Sequence, residues 1–157
     1  MKVLCALGVR HAWDLVDHVL GLCSTDNLTL LLVYVINEEH HEDVWHLPGG
    51  FGRHALREER SQSMREAEQD AATITLARAA TAAMQHGLLE RSIEQRVLRG
   101  HPERVIVAIA EAEQCDVIVL RASDDVQVRV PRGPHSVGHT ARYILDHAPC
   151  DVLLIRT

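Results

Sequence analysis

Aromatic side chains are almost missing from this chain: one Phe, two Trp and two Tyr among 157 residues. A core built without them must be aliphatic, made of Val, Leu, Ile and Ala, the residues that buried parallel strands use. Lysine is scarcer still, with Lys2 the only one. Lys and Arg number 16 against 22 Asp and Glu, a formal net charge of −6, and no basic stripe runs along any segment. A nucleic-acid binder would carry an excess of positive charge, so no nucleic-acid partner is expected. The four cysteines (Cys5, Cys23, Cys115 and Cys150) lie far apart, without a CxxC pair or metal-ligand spacing. That excludes a disulfide framework and a zinc site on pattern, and buried reduced thiols are the expectation. No apolar run is long enough to span a bilayer. The opening MKVLCALGVRHAW lacks the long apolar region of a signal peptide. A cytoplasmic protein with no membrane partner is therefore expected.

What is present reads as an ordinary globular chain, 46% apolar and 24% charged, of a length that suits a single domain over 1–157. Val3–Leu7 is a short buried strand ended by Gly8. His11–Cys23 carries Trp13, Val16, Leu20 and Cys23 at helical spacing. Leu28–Ile36 is continuously apolar and β-rich, the mark of a strand covered on both faces. Asn37–Arg60 breaks the pattern with polar residues and Pro48-Gly49-Gly50, and is expected to be an irregular insertion. Gln62–His86 reads as a long Ala-rich helix whose inward face would be Ala67, Ala71, Ile74, Ala77, Thr81 and Met84, with Gly87 as its C-terminal cap. Ser92–Leu98 alternates like a strand near a sheet edge. Pro102 opens a helix over Glu103–Gln114 that buries Val105, Ile106, Ile109 and Ala110. Asp116–Leu120 is a further buried strand. A polar loop over Arg121–Ser136 leads to a helix at Val137–His147, with Val137, Ala141, Ile144 and Leu145 inward. Cys150–Arg156 is the last strand. Strands alternating with helices in this way build a parallel sheet with right-handed crossovers.

Two segments carry a family likeness. Gly138 to Arg156, with His147-Ala148-Pro149-Cys150 before the final strand, resembles the closing helix and strand of the universal stress protein family. Arg99-Gly100-His101-Pro102-Glu103, running into Ala110-Glu111 and then Asp116–Leu120, is similar to the same family's central part. The resemblance implies a three-layer, Rossmann-like doubly wound α/β sandwich of the adenine nucleotide alpha hydrolase-like type. Its sheet would have five parallel strands in the order 3-2-1-4-5, and a homodimer would form through the last strand, about residues 150–156. Ligands of such sheets bind outside the carboxyl ends of the strands where the order reverses. Here that crevice is expected at Ala6, Leu7, Gly8, Val35, Leu120, Arg121, Gly138, His139 and Thr140.

Family members that hold ATP use three glycines and a hydroxyl there. Glycine lets backbone N–H groups approach phosphate, and a helix N-terminus adds positive potential. In this chain Arg121 stands at the first glycine and Asp124 at the second. Only Gly138 remains, followed by His139 instead of Ser or Thr. Gly8 stands where the family has an aspartate that meets the nucleoside. Asp124 and Asp125 would repel polyphosphate, by about 1 kcal/mol or more for each close pair at intermediate dielectric. ATP binding of the usual family type is thus not expected. No cofactor is expected, with ATP or AMP in a slowly hydrolysing switch as the alternative.

The remaining constellations are weaker. Arg121, Arg129, Arg132, His135 and His139 gather in sequence around the last helix's start and could hold an anion, or could pair with Asp124 and Asp125. Glu38–Asp43 with His46 or His54 matches no zinc spacing and reads as a solvated acidic loop. Leu47–Gly52 lacks the Lys-Ser/Thr ending of a phosphate loop and reads as a docking loop that offers Trp45 and Phe51. Ser136 beside His135 and His139 is the one hydroxyl–imidazole grouping, and sequence neighbours seldom build a triad. The expectation is a stress-response binding module with a regulatory protein partner, not an enzyme.

Overall fold

The computed structural model describes residues 1–8, 12–38, 54–123 and 136–156, with the backbone alone over 54–61. Five strands and four α-helices organise them: β1 (Lys2–Leu7), α1 (Ala12–Leu22), β2 (Thr29–Asn37), α2 (His54–Gln85), β3 (Ile93–Gly100), α3 (Pro102–Ala112), β4 (Val117–Arg121), α4 (His139–His147) and β5 (Asp151–Ile155). The five strands form one sheet in the order β3-β2-β1-β4-β5, every neighbouring pair parallel. This is the doubly wound arrangement that the alternating strand and helix patterns imply.

Successive residues of a strand point to opposite faces, so the apolar runs of β1 and β2 supply two cores. Val3, Cys5 and Leu7 join Leu30, Leu32, Tyr34 and Ile36 beneath α1 and α2. Leu4, Leu31 and Val33 join Ile118 and Leu120 beneath α3 and α4. Leu4 sits in register with Leu31 on one side and Ile118 on the other. All three are 0% exposed. Truncating any of them to Ala should cost about 2–5 kcal/mol, because the strands on both sides prevent collapse of the cavity.

The helix faces correct the sequence reading in three places. In α1 the buried residues are Ala12, Leu15, Val16, Val19 and Leu20, while Trp13 is 39% exposed. In α2 the inward residues are Ala72, Leu76, Ala79, Ala80 and Ala83. The face expected to be buried, Ala67, Ala71, Ile74, Ala77, Thr81 and Met84, is the exposed one. Alanines let the helix backbone approach the sheet and α1 closely, and that contact outweighs the larger side chains on the other side. In α4, Ala141 and Ile144 are buried, but Leu145 is 47% exposed. The helix α2 also begins at His54, so the irregular stretch expected over 37–60 is helical in its last residues.

Local signals set the boundaries. At the end of α2, Leu88 N–H donates to the Ala83 carbonyl at 3.2 Å and Gly87 N–H to Met84 at 2.9 Å, with Gly87 at φ +89°. This is the paired closure that a left-handed glycine permits. Pro102 stands in the first turn of α3, where its missing N–H costs nothing. The outer strands differ: β3 places Gln95 and Arg96 in solvent, whereas β5 carries the half-buried Val152, Leu153 and Leu154. Polar side chains protect an edge from pairing, and apolar ones leave it open to it.

Candidate functional site

The strand order reverses at β1, whose neighbours β2 and β4 lead to helices on opposite faces. Above the carboxyl ends of these strands lies a cleft of about 480 Å³. All nine residues expected there line it: Ala6, Leu7 and Gly8 at the end of β1, Val35 of β2, Leu120 and Arg121 of β4, and Gly138, His139 and Thr140 at the start of α4. The volume falls in the usual range for a small-molecule site. Sequence reasoning missed several wall residues, among them Tyr34, Asn37, Ile106 and Ser123. The signal for Tyr34 and Asn37 was available, since they flank Val35 at the end of β2 on the same side of the switch point.

The electrostatic centre of the cleft is Arg121. Its side chain is only 10% exposed, and Nη2 lies 3.6 Å from Oδ2 of Asp14 in the first turn of α1. A guanidinium withdrawn this far from water needs a counter-charge. Asp14 supplies it, a role that sequence reasoning did not assign. Arg121 therefore brings bulk to the end of β4, with a carboxylate beside its charge.

Gly138 is the N-terminal cap of α4, with φ −63° and ψ 163° and no side-chain cap. Its own N–H donates to the Ala122 carbonyl at 2.7 Å, which ties the helix start to the end of β4. A Cβ built on Gly138 would meet Ala122 O at 3.5 Å and Ser123 Cα at 3.8 Å, ordinary contacts. Neither its backbone angles nor its surroundings demand glycine here. The first-turn N–H groups of His139, Thr140 and Ala141 stand at the positive end of the helix on this wall.

The other candidates divide between the structure and the stretches outside it. Ser136 Oγ accepts from Arg156 Nη1 at 3.0 Å, which ties the approach to α4 to the residue that follows β5. Asp124, Asp125, Arg129, Arg132 and His135 lie outside the described residues, as do residues 39–53, which hold most of the acidic loop and the Pro48-Gly49-Gly50 segment. Among the described residues no group of three or more His, Cys, Asp or Glu side chains is placed to hold a metal ion. Among them also, no helix is long and apolar enough to cross a membrane. The four thiols are free. Burial pushes Cys5 up to about 12 and Cys115 up to about 11, and raises Cys150. These three are not poised as nucleophiles, which requires a lowered pKa.

Three solved structures place this architecture. One is a protein whose biochemical function was assigned from its structure, with 16% identity over 99% of this chain and 95% of that one, at a TM-score of 0.76. A universal stress protein in complex with cAMP is 16% identical over 100% and 97% of the two chains, at a TM-score of 0.64. A universal stress protein family protein from Arabidopsis thaliana with AMP bound is 16% identical over 99% and 90%, at 0.63. Identities this low speak for the fold. No curated protein matches the sequence. The profile described as "Universal stress protein family" matches residues 1–156. With that match over nearly its whole length, the chain belongs to the universal stress protein family.

Proposed function

We propose that this universal stress protein is a regulatory binding module whose cleft does not take ATP in the manner usual for the family. The observation that carries this reading is Arg121, largely buried at the end of β4 and matched by Asp14 at 3.6 Å. A triphosphate cradle needs bare backbone N–H groups at that position, and a guanidinium with its stem fills the space instead. The one glycine retained, Gly138, has its N–H bonded to Ala122. The protein acts as a homodimer paired through β5, whose apolar side chains at Val152, Leu153 and Leu154 leave an edge that a two-fold copy can cover. A protein partner reads the state of the dimer.

A second reading keeps a nucleotide in the cleft. It is supported by the relatives whose structures contain cAMP and AMP, ligands with a single phosphate that need no triphosphate cradle. The first-turn N–H groups of α4 suit one phosphate. Mass spectrometry of small molecules released from the purified protein, followed by calorimetric titration with ATP, AMP and cAMP, separates the two. The main reading expects an empty cleft and no heat with ATP at high micromolar concentration. Copurified AMP, or micromolar binding of AMP or cAMP without ATP, selects the second. Micromolar binding of ATP overturns the claim about Arg121.

A further inference from the structure

The helix α2 carries two apolar stripes, and α1 and the sheet cover one of them. The inward stripe is Ala72, Leu76, Ala79 and Ala83. The outward one centres on Ile74, which is 53% exposed. Ala71 and Ala77 lie three residues to either side of it, Ala67 and Thr81 seven, and Met64 and Met84 ten. All are exposed, Met64 at 58% and Met84 at 42%. Thr81 directs its hydroxyl to the Ala77 carbonyl at 2.9 Å, so its hydrogen bond is made within the helix. A bare stripe of this length marks a contact surface.

The stripe is symmetric about Ile74, and the charges beside it share the symmetry. Asp70 lies four residues before Ile74 and Arg78 four after. Both are exposed, and neither is in an ion pair among the described residues. A two-fold axis at Ile74 would lay a second copy of α2 antiparallel on the first. Ile74 would then face its own copy, alanine would face alanine, and Met64 would face Met84. Arg78 would stand level with Asp70 of the second copy, and the reverse pair would form by the same operation. Beside the stripe, Trp13 and Asp17 of α1 form the far wall of a groove of about 600 Å³ whose near wall includes Ile74, Arg78 and Thr81. That groove offers room for the side chains of an incoming helix.

We propose that the outer face of α2 is a self-association surface, on which a second copy of this chain docks antiparallel about Ile74 with two reciprocal Arg78–Asp70 pairs. The helix packs over β2 and β3, on the far side of the sheet from β5, so this contact leaves the β5 edge untouched.

Sedimentation equilibrium of the full chain tests it through four proteins: wild type, Arg78→Asp, Asp70→Arg and the double variant. Each single variant sets like charges opposite one another and should weaken one association step roughly tenfold. The double variant should regain wild-type affinity. So should an equimolar mixture of the two single variants, in which every facing pair is again of opposite sign. Ile74→Glu should abolish the step. These positions are exposed, and circular dichroism confirms that each variant is folded. Single variants that associate like wild type overturn the proposal, as does a mixture no tighter than its components. A foreign occupant of the groove would leave the self-association unchanged in every variant, which also overturns it.

Discussion

Arg121 Nη2 lies 3.6 Å from Asp14 Oδ2, so the end of β4 is bound to the first turn of α1 beside the cleft. Because Asp14 balances the guanidinium, an incoming polyphosphate meets its volume more than its charge. Replacing Arg121 by Gly alone would remove a cation from beside Asp14 and leave the carboxylate to repel the ligand. The double variant Arg121→Gly, Asp14→Asn removes volume and carboxylate together, and should raise ATP affinity at least about tenfold, or 1.4 kcal/mol. Calorimetric titration checks this. No gain over wild type would mean that Arg121 is not the obstacle.

The same pair makes a stability prediction. Asp14→Ala leaves a guanidinium that is 90% withdrawn from water without one of its charge partners. The loss should be about 1–3 kcal/mol, as for other buried groups deprived of a partner. Asp14 itself is 39% exposed, so solvent screening places the value at the lower end of that range. Urea denaturation of the wild type and the variant measures it, and a difference near zero would show that the pair is incidental.

Glycines that look alike in sequence should separate under substitution by Ala. Gly87 has φ +89° and open space around its absent Cβ, so its cost is conformational alone, about 1 kcal/mol. Gly100 has φ +130°, and a Cβ would meet Val105 Cγ2 at 3.1 Å. Strain and crowding add there, and Gly100→Ala should cost more than Gly87→Ala. Gly138→Ala should be within about 0.5 kcal/mol of wild type. Thermal or chemical denaturation gives the order, and a Gly138→Ala loss equal to that at Gly100 would refute the account of the cleft wall.

The sheet was legible because its strands state their burial directly. Leu28–Ile36 has no polar face, and only a central parallel strand hides both sides of such a run. The cleft residues followed from topology once the strand order was in hand, since Gly8, Arg121 and Gly138 each end or begin an element at the switch point. The face of α2 was not legible. Both of its stripes are apolar, so periodicity does not distinguish them, and the larger Ile74 and Met84 pointed to the side that the structure leaves in solvent. Close approach favoured the small residues Ala72, Ala79 and Ala83, a property of the neighbours rather than of the helix. The Arg121–Asp14 contact was hidden for another reason: it joins residues more than a hundred positions apart, and nothing local in either segment announces the other.

The thiols should divide by burial. Cys5 is 0% exposed and pushed up to about 12, and Cys115 is 6% exposed and pushed up to about 11. At pH 8 their thiolate fractions are on the order of one in 10,000 and one in 1,000. Cys23, half-buried, should react with a thiol reagent first in the native protein. Cys5 and Cys115 should react only after denaturant is added. Four thiols modified at one fast rate under native conditions would contradict this placement of β1 and β4.

At the other end of the sheet, Lys2 joins β1 to the end of α3. Its Nζ donates to Glu113 Oε2 at 2.5 Å and lies 3.4 Å from Glu94 Oε1. The hydrogen bond to Lys2 holds the Glu113 carboxyl below its ordinary value of 4.5, and the same bond raises Lys2 above 10.5. A carboxyl whose folded pKa is depressed stabilises the protein above its unfolded pKa, and loses that contribution as pH falls through the folded value. The amine's contribution is present below 10.5 and is lost only as pH rises past its raised folded value. Glu113→Gln should therefore be less stable than wild type from about pH 5 to 10, and the gap should close as the solution is taken well below pH 4.5. Both side chains remain partly in solvent, 21% and 29% exposed, so 1 M salt should narrow the gap at pH 7. Denaturation midpoints of the two proteins at pH 3, 7 and 7 with salt decide it, and a gap that persists unchanged at pH 3 would show that Glu113 acts through packing and not through its charge.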